Sequence, residues 1–361
     1  MSSCETDDSY LASPQFVSRT LHILSCLAAP IHIFGFYCIL YKTPKPMATV
    51  KWILLNMHFW SVVLDIVLTV FAVPYAIFPA MAGFGLGFID SPGLFLYLIV
   101  TVINTVSISL MYTFENIFYQ LFAEKTWWRT ARKPFLFINY LLNPLYFLPP
   151  QFAIPEQEFA REVVLSSMPC VPELPVNRQM FVLSLDHFLV GLSVNLCGDT
   201  VAIEIWIFLN LIWHNLFKQN PEARLSQRTI KMQRKLAITV IFQSMSSAIW
   251  FVVPIGGVMA ICYFDYHNQV LNNLVFVFVS SHGISATIIM KRSTIPQTKI
   301  LTAKSKYHPS SISESLCMSN SIIFLKTNPE VQKDFQYSCS KLDKPSHQSY
   351  ELRFAVSIIM S

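Results

Sequence analysis

Charge is what this chain has least of. Only 13% of its 361 residues are Asp, Glu, Lys or Arg, about half the share found in an ordinary soluble domain. A water-soluble globular fold is thereby excluded. Glycine is scarce too, at 10 residues. No phosphate-cradling glycine loop, H-E-x-x-H or G-x-S-x-G pattern occurs, so nothing marks the chain as an enzyme. The 8 cysteines stand singly, without a C-x-x-C pair. Neither a zinc site nor a disulfide scaffold is supported, and no cofactor is expected. Base is missing from the first residues, which carry Glu5, Asp7 and Asp8. That pattern lacks the n-region of a cleavable signal peptide, so the first apolar run is expected to remain as an anchor.

What the chain does have is apolar length. Hydrophobic residues make up 53% of it, gathered into seven runs long enough to cross a bilayer. They are Leu21–Tyr41, Trp52–Phe78, Leu94–Phe122, Phe135–Ile154, Phe188–Phe217, Leu236–Tyr263 and Val270–Met290. Lipid offers the backbone no hydrogen-bond partner, so each run is expected to be helical. The ten-residue alternation of a membrane barrel is absent. The expected fold is an all-α membrane protein, a bundle of seven transmembrane helices.

The basic residues set its orientation. Lys42, Lys45 and Lys51 follow the first run, Lys125, Arg129, Arg132 and Lys133 the third, and Lys218 to Lys235 the fifth. More follow the seventh, whereas the alternate connectors are poor in base; Ala80–Gly93 carries only Asp90. The positive-inside rule then puts the N-terminus outside and the C-terminus in the cytoplasm. Residues 1–20 form an extracellular N-terminus and 21–290 the membrane domain. Residues 291–361, rich in Ser, Lys and Thr, form a cytoplasmic tail with no expected fold of its own. The net charge of +5 is distributed between apolar runs, which fits a lipid bilayer and not nucleic acid. Cys170 and Cys262 both fall on the outer side, where they either pair or stay free.

Polar residues inside the runs are the candidates for function, because an ionisable group at mid-span costs about 3 kcal/mol. On the third run Asn104, Ser107, Met111 and Glu115 share one helical face, which should look into the protein. Asp65 shares a stripe with His58 and Ser61 on the second. Asp199 follows Asn195 by one turn on the fifth, with Glu204 beyond, and Asn272, Asn273, Ser280 and His282 lie on the seventh. Two readings stand for His58, Asp65, Asn104, Asp199 and His282. They form an internal polar network that rearranges, or they are interhelical glue at about 0.6 kcal/mol per hydrogen bond. Pro74 and Pro79 are expected to end the second helix, Pro144, Pro149 and Pro150 to kink or close the fourth, and Pro254 to bend the sixth. Arg228, Lys231 and Lys235 share a face ahead of the sixth run, which predicts a helix continuing into the cytoplasm. That face can dock a partner or serve topology and lipid headgroups alone.

Several stretches carry a family resemblance. Thr43–Pro44–Lys45 leads into Val50–Lys51–Trp52–Ile53–Leu54–Leu55–Asn56–Met57–His58–Phe59–Trp60, with Leu64–Asp65 after it. Further on come Phe78–Pro79–Ala80–Met81–Ala82–Gly83, Phe114–Glu115–Asn116, Leu225–Ser226 before a basic run, Pro254, and Ser281–His282–Gly283. From Phe16 to Met290 the chain resembles the nematode serpentine receptors of class H, seven-helix chemoreceptors. Ile117 stands where the family usually reads arginine after Glu-Asn, and Lys291–Pro296 replaces its Lys-Pro-Tyr-Arg-like ending.

The resemblance implies a G-protein-coupled sensory receptor in the plasma membrane of chemosensory neurons. Its partners would be a small environmental molecule and a heterotrimeric G protein. Glu115, Asn116, Arg228, Lys231 and Lys235 would face the G protein. Tyr75, Phe78, Tyr97, Phe251, Asn272 and Asn273 are outer-half lining candidates by depth alone, lipid or packing neighbours being equally open at each. A transporter or ion channel using Asp65, Asp199 and Glu204 is the alternative, against which the odd number of spans counts. No N-x-S/T sequon occurs in the chain, so an acceptor added at the N-terminus reports without background. We expect it to be glycosylated in cells; an unmodified tag on expressed protein contradicts the orientation.

Overall fold

The computed structural model describes residues 9–42, 48–167, 179–218 and 227–288. Helices dominate it. Ser13 caps the first, its hydroxyl accepting from Phe16 N at 3.2 Å, with Pro14 in the first turn where no N–H is needed. This helix, α1, spans Pro14–Tyr37 and widens into a π turn at Cys38–Lys42. The others are α2 (Ala48–Ile66), α3 (Pro92–Phe118), α4 (Trp128–Tyr146), α5 (Leu148–Phe152), α6 (Gln157–Ser167), α7 (His187–Lys218), α8 (Gln227–Tyr263) and α9 (Gln269–Ser280).

Among the described residues five stretches are long and apolar enough to cross a membrane: Pro14–Tyr41, Lys51–Ala72, Pro92–Ala123, His187–Asn215 and Gln269–Ile288. Two of the seven expected runs are thus different in kind. At the fourth position α4 opens with Arg129, Arg132 and Lys133, breaks at Phe147 and restarts as α5, so Phe135–Ile154 is not one continuous rod. At the sixth, the apolar stretch found is Ala248–Tyr263. It closes a helix that begins at Gln227, as the spacing of Arg228, Lys231 and Lys235 predicts; their side chains lie outside the described residues. Large apolar side chains stand exposed along these helices, among them Ile33, Phe59, Phe137, Ile203, Trp206 and Val252. Such a belt is what a bilayer covers.

The second run also differs from expectation. Trp52–Phe78 is not one helix: α2 passes into a π-helical stretch at Val67–Ala72 and stops at Val73, whose φ is 41°. Pro74 has no N–H to continue the ladder. The chain instead forms a strand, β1 (Pro74–Ile77), paired antiparallel with β2 (Ala82–Gly85) across a turn holding a cis Phe78–Pro79 bond. A short third strand, β3 (Phe181–Val182), adds to β2. This cap closes the end of α2 chemically. The carbonyls of Phe71, Ala72 and Val73 accept from the N–H groups of Ile89, Gly87 and Leu86 at 2.9, 3.1 and 3.0 Å. Carbonyls that would otherwise be orphaned in the last turn are thereby satisfied.

One face of the cap makes its own core. Tyr75, Ile77, Ala82, Phe84 and Val182 pack on Val17 and Leu21 of α1 and Ala160 and Val164 of α6. Beyond β3, Gln157 imitates another strand, its amide donating to Val182 O and accepting from Val182 N, each at 3.0 Å. Elsewhere Leu64, Leu68, Phe95, Ile99, Val106, Phe251 and Val279 join α2, α3, α8 and α9, while Met57, Met111, Phe114, Val201 and Phe208 join α2, α3 and α7. Cys262 is a free thiol; Cys170, its candidate partner, lies outside the described residues.

The close return of the cap requires Gly87, where a Cβ would collide with the Phe71 carbonyl. Gly87→Ala is expected to destabilise the protein by about 2 kcal/mol and to speed proteolysis in the turn after β1. An unchanged thermal midpoint and cleavage rate would contradict that anchoring.

Candidate functional site

Polar side chains gather at three levels of the bundle. At the cap end, α9 begins on Asn268, whose side chain accepts from Leu271 N. Its first turns then present three buried amides to main-chain carbonyls. Gln269 Nε2 donates to Ala76 O at 3.0 Å, Asn272 Nδ2 to Phe78 O at 3.1 Å, and Asn273 Nδ2 to Leu11 O at 2.8 Å. Tyr75 donates its hydroxyl to Ala12 O at 2.8 Å and stacks on Phe84. His267 and His187 reach the carbonyls of Phe78 and Pro79. The cap is therefore fastened to α9 and to the N-terminal turn by hydrogen bonds. Of the residues that sequence depth put forward as ligand contacts, Tyr75 and Asn272 are occupied in fastening it, and Asn273 in holding α9 to the N-terminal turn. Tyr75 and Phe78 stand on or beside the hairpin and not on α2, because Val73 and Pro74 end that helix.

At mid-span, α1, α2 and α9 meet around buried imidazoles and a carboxylate. His32 Nε2 donates to Asp65 Oδ2 at 2.8 Å, and His58 Nε2 donates to the His32 carbonyl at 3.1 Å. Thr69 bonds Asp65 O, holding the backbone of that turn. His282 is 2% exposed and lies against Phe251, ring centroids 4.3 Å apart. The chain pauses at Ser281 before it, and at Gly283 any Cβ would run into Asp65 Oδ2 and His32 Cε1. The third polar corner of this cluster is thus a bare backbone. His32 Nδ1, Asp65 Oδ1 and His282 Nδ1 have no hydrogen-bond partner.

Between α3 and α4 a second set is paired. Asn104 Nδ2 donates to Asn143 Oδ1 at 2.7 Å, and Asn143 Nδ2 to Thr105 Oγ1 and Thr101 O. Asn56 of α2 donates to Ser109 and Tyr140, while Tyr97 gives its hydroxyl to Pro144 O at 2.9 Å. Asn104 is therefore part of the α3–α4 seam and not of the His32–Asp65 cluster. Asp199 joins neither among the described residues: it is exposed on α7 beside exposed Asn195. This corrects its expected place in an internal network. Glu204, farther along α7, accepts from Asn139 of α4 at 3.2 Å.

The third level closes the other end of α3. Glu115 is 0% exposed, and its two oxygens accept from Trp128 Nε1 and Arg132 Nη2, each at 2.7 Å. Arg132 also reaches Asn116 Oδ1 and lies over the Tyr119 ring, 3.9 Å from its centroid. A carboxylate buried this deeply is tolerable only with such partners. No cluster of three His, Cys, Asp or Glu side chains suited to a metal occurs among the described residues.

A family model described as the serpentine type 7TM GPCR chemoreceptor Srh matches residues 12–291. The chain belongs to the Srh chemoreceptor family. It is 22% identical over 296 residues to serpentine receptor class H-72 of Caenorhabditis elegans, covering 79% of this chain and 84% of that one. No solved structure matches. With its apolar helices, the Srh assignment makes this a multi-pass membrane protein of a receptor class, and does not favour the transporter or channel alternative.

Two parts of this Srh site were not foreseen. Ile117 takes the place of the family's arginine, yet Glu115 has a guanidinium: Arg132 supplies it from the basic segment after α3. His32 went unnoticed inside the first apolar run, although an imidazole in the middle of such a run is itself a signal that a partner waits on another helix. The His32–Asp65 contact is testable by a double-mutant cycle. His32→Ala and Asp65→Ala should each lower the thermal midpoint of purified receptor, with a coupling of about 1 kcal/mol between them. Strictly additive losses would show that the two do not act as a pair.

Proposed function

We propose that this Srh protein is a seven-helix plasma-membrane receptor with its N-terminus outside and its tail in the cytoplasm. It binds a small environmental molecule beneath the outer cap and signals to a heterotrimeric G protein at the opposite face. In this reading α4 and α8 are the fourth and sixth spans, and residues 291–361 form the cytoplasmic tail. The observation that carries the proposal is the reach of α3. Its first turns, at Pro92, Phe95 and Leu96, lie against the cap, and its far end holds Glu115 in the Arg132 clasp. At 1.5 Å per residue, Pro92 and Glu115 are about 35 Å apart along one rod.

A ligand that fits one position of the cap better than another shifts that rod, or α9, between two arrangements, and it can do so only by its difference in affinity for them. The inner end changes state when Glu115 leaves Arg132, which frees α3 and α4 to separate and exposes Glu115 and Asn116 to a partner. Arg228, Lys231 and Lys235, by their spacing at the start of α8, are a run of base suited to an acidic G-protein face.

Breaking the clasp is then activating. Arg132→Ala is expected to raise ligand-free GTP exchange on a co-reconstituted Gα subunit by about fivefold or more, and by reciprocity to tighten binding of any activating odorant. Exchange that stays at the wild-type level with every Gα, in receptor that remains folded, overturns the coupling mechanism.

A further inference from the structure

The cap has two unlike faces, and the difference creates a space. In a strand successive side chains point to opposite sides, and paired residues share a side. Tyr75, Ile77, Phe84 and Val182, on one side, fill the core against α1 and α6. On the other side the register puts Pro74 opposite Gly85, Ala76 opposite Gly83, and Gly83 opposite Phe181. Small residues therefore face α3. Gly85 is filled by the edge of Phe95, which stands where its Cβ would be. At Gly83 a Cβ would meet the main chain of Tyr75 and Ala76, so that position carries no side chain, and a cavity of about 50 Å³ remains, bounded by Pro74, Ala76, Gly83, Phe95, Leu96 and Phe181.

Its chemistry is one-sided. No lining side chain carries a nitrogen or oxygen except the Tyr75 hydroxyl, which is already given to Ala12 O. The strand backbone around it is engaged in the β1–β2 ladder. A charge or a hydrogen-bonding group placed here would lose its water and gain no partner, at a cost of several kcal/mol. Size narrows the occupant further, since an engineered apolar cavity of roughly 150 Å³ is known to admit benzene or xenon, and this one is smaller.

We propose that the cavity between the cap and α3 is a binding site for a compact, uncharged, apolar molecule of a few heavy atoms. Its meaning as the sensory site rests on the receptor reading above; its chemistry does not. Occupancy would wedge the cap from α3 between Ala76 and Leu96, which both line the space. The site thus selects against carboxylates, amines and sugars, and a receptor built this way reports hydrocarbon-like volatiles.

The test uses xenon as the probe, with the full-length receptor in lipid nanodiscs read by xenon-129 NMR. A bound signal is expected in the wild type, lost in Ala76→Leu, which fills the space, and strengthened in Leu96→Ala, which enlarges it. Cyclopropane should displace xenon, while acetate and methylammonium of similar size should not. A signal insensitive to Leu96→Ala belongs to lipid and overturns the site, whether or not Ala76→Leu folds; displacement by either ion also overturns it. GTP exchange is measured on the same samples. Exchange without this xenon pattern removes the cavity assignment alone, whereas the xenon pattern without exchange on any Gα removes the receptor reading and leaves the cavity chemistry standing.

Discussion

A polar side chain between helices in lipid has only the rest of the protein to bond with, and the whole interior is arranged around that constraint. Water is not there to satisfy Asp65, Asn104 or Glu115, so each must find its partner on another helix. Asp65 of α2 takes His32 of α1, Asn104 of α3 takes Asn143 of α4, and Glu115 of α3 takes Arg132 and Trp128 of α4. Apolar packing alone would hold these helices without choosing one rotation over another, since lipid tails are as apolar as leucine. The polar pairs fix the rotation. They also leave the remaining faces free to be apolar, as the exposed Phe137, Leu141 and Leu145 of α4 show.

The same constraint explains the two ends. Where α2 stops, its last carbonyls are taken up by the returning chain between β2 and α3, so the cap is the device that terminates the helix. Once built, it needs fastening, and the amides of Gln269 and Asn272 do that from α9, while Asn273 holds the N-terminal turn at Leu11. At the opposite end α3 finishes with a buried carboxylate that depends on a residue of the next helix. One helix therefore carries a packed apolar contact at one end and a charge-assisted clasp at the other. Such a rod suits a receptor, because motion at the first end has a discrete bond to break at the second.

Much of this was legible in the sequence. Apolar runs located α3 and α7 to within a few residues, whereas α1 begins seven residues before its run and α9 pauses at Ser281 inside its own. Offsets of three, seven and eleven from Asn104 placed Ser107, Met111 and Glu115 on one interior face, where Asn104, Met111 and Glu115 are buried and Ser107 is half-buried. The stripe through His58, Ser61 and Asp65 is likewise interior. Periodicity could not reveal the hairpin. Pro74–Gly85 is as apolar as the helix before it, and only Pro74, Pro79 and the glycines at 83, 85 and 87 hint that it turns back as strands. Partners were also beyond reach, because spacing tells which residues share a face but not which helix that face meets. Arg132 and His32 show this: both were visible as residues, and neither could be matched to its carboxylate without the fold. Asp199 shows the converse, since a carboxylate within an apolar run was expected inside and stands exposed.

The hardest case is α4: Phe135–Ile154 reads as an apolar run, yet α4 is not among the described helices long and apolar enough to cross a membrane, and polar bonds, more than apolar burial, hold it in place. Nitroxide labels placed singly from Phe137 to Leu145 in reconstituted receptor, scored for collision with oxygen and with a water-soluble nickel chelate, test it directly. Oxygen accessibility should peak at 137, 138, 141 and 145 and fall at 140 and 143, with the nickel reagent excluded throughout. Equal accessibility around the helix, or nickel access at 137 and 141, would contradict a helix whose polar face is clasped inward and whose apolar face meets lipid.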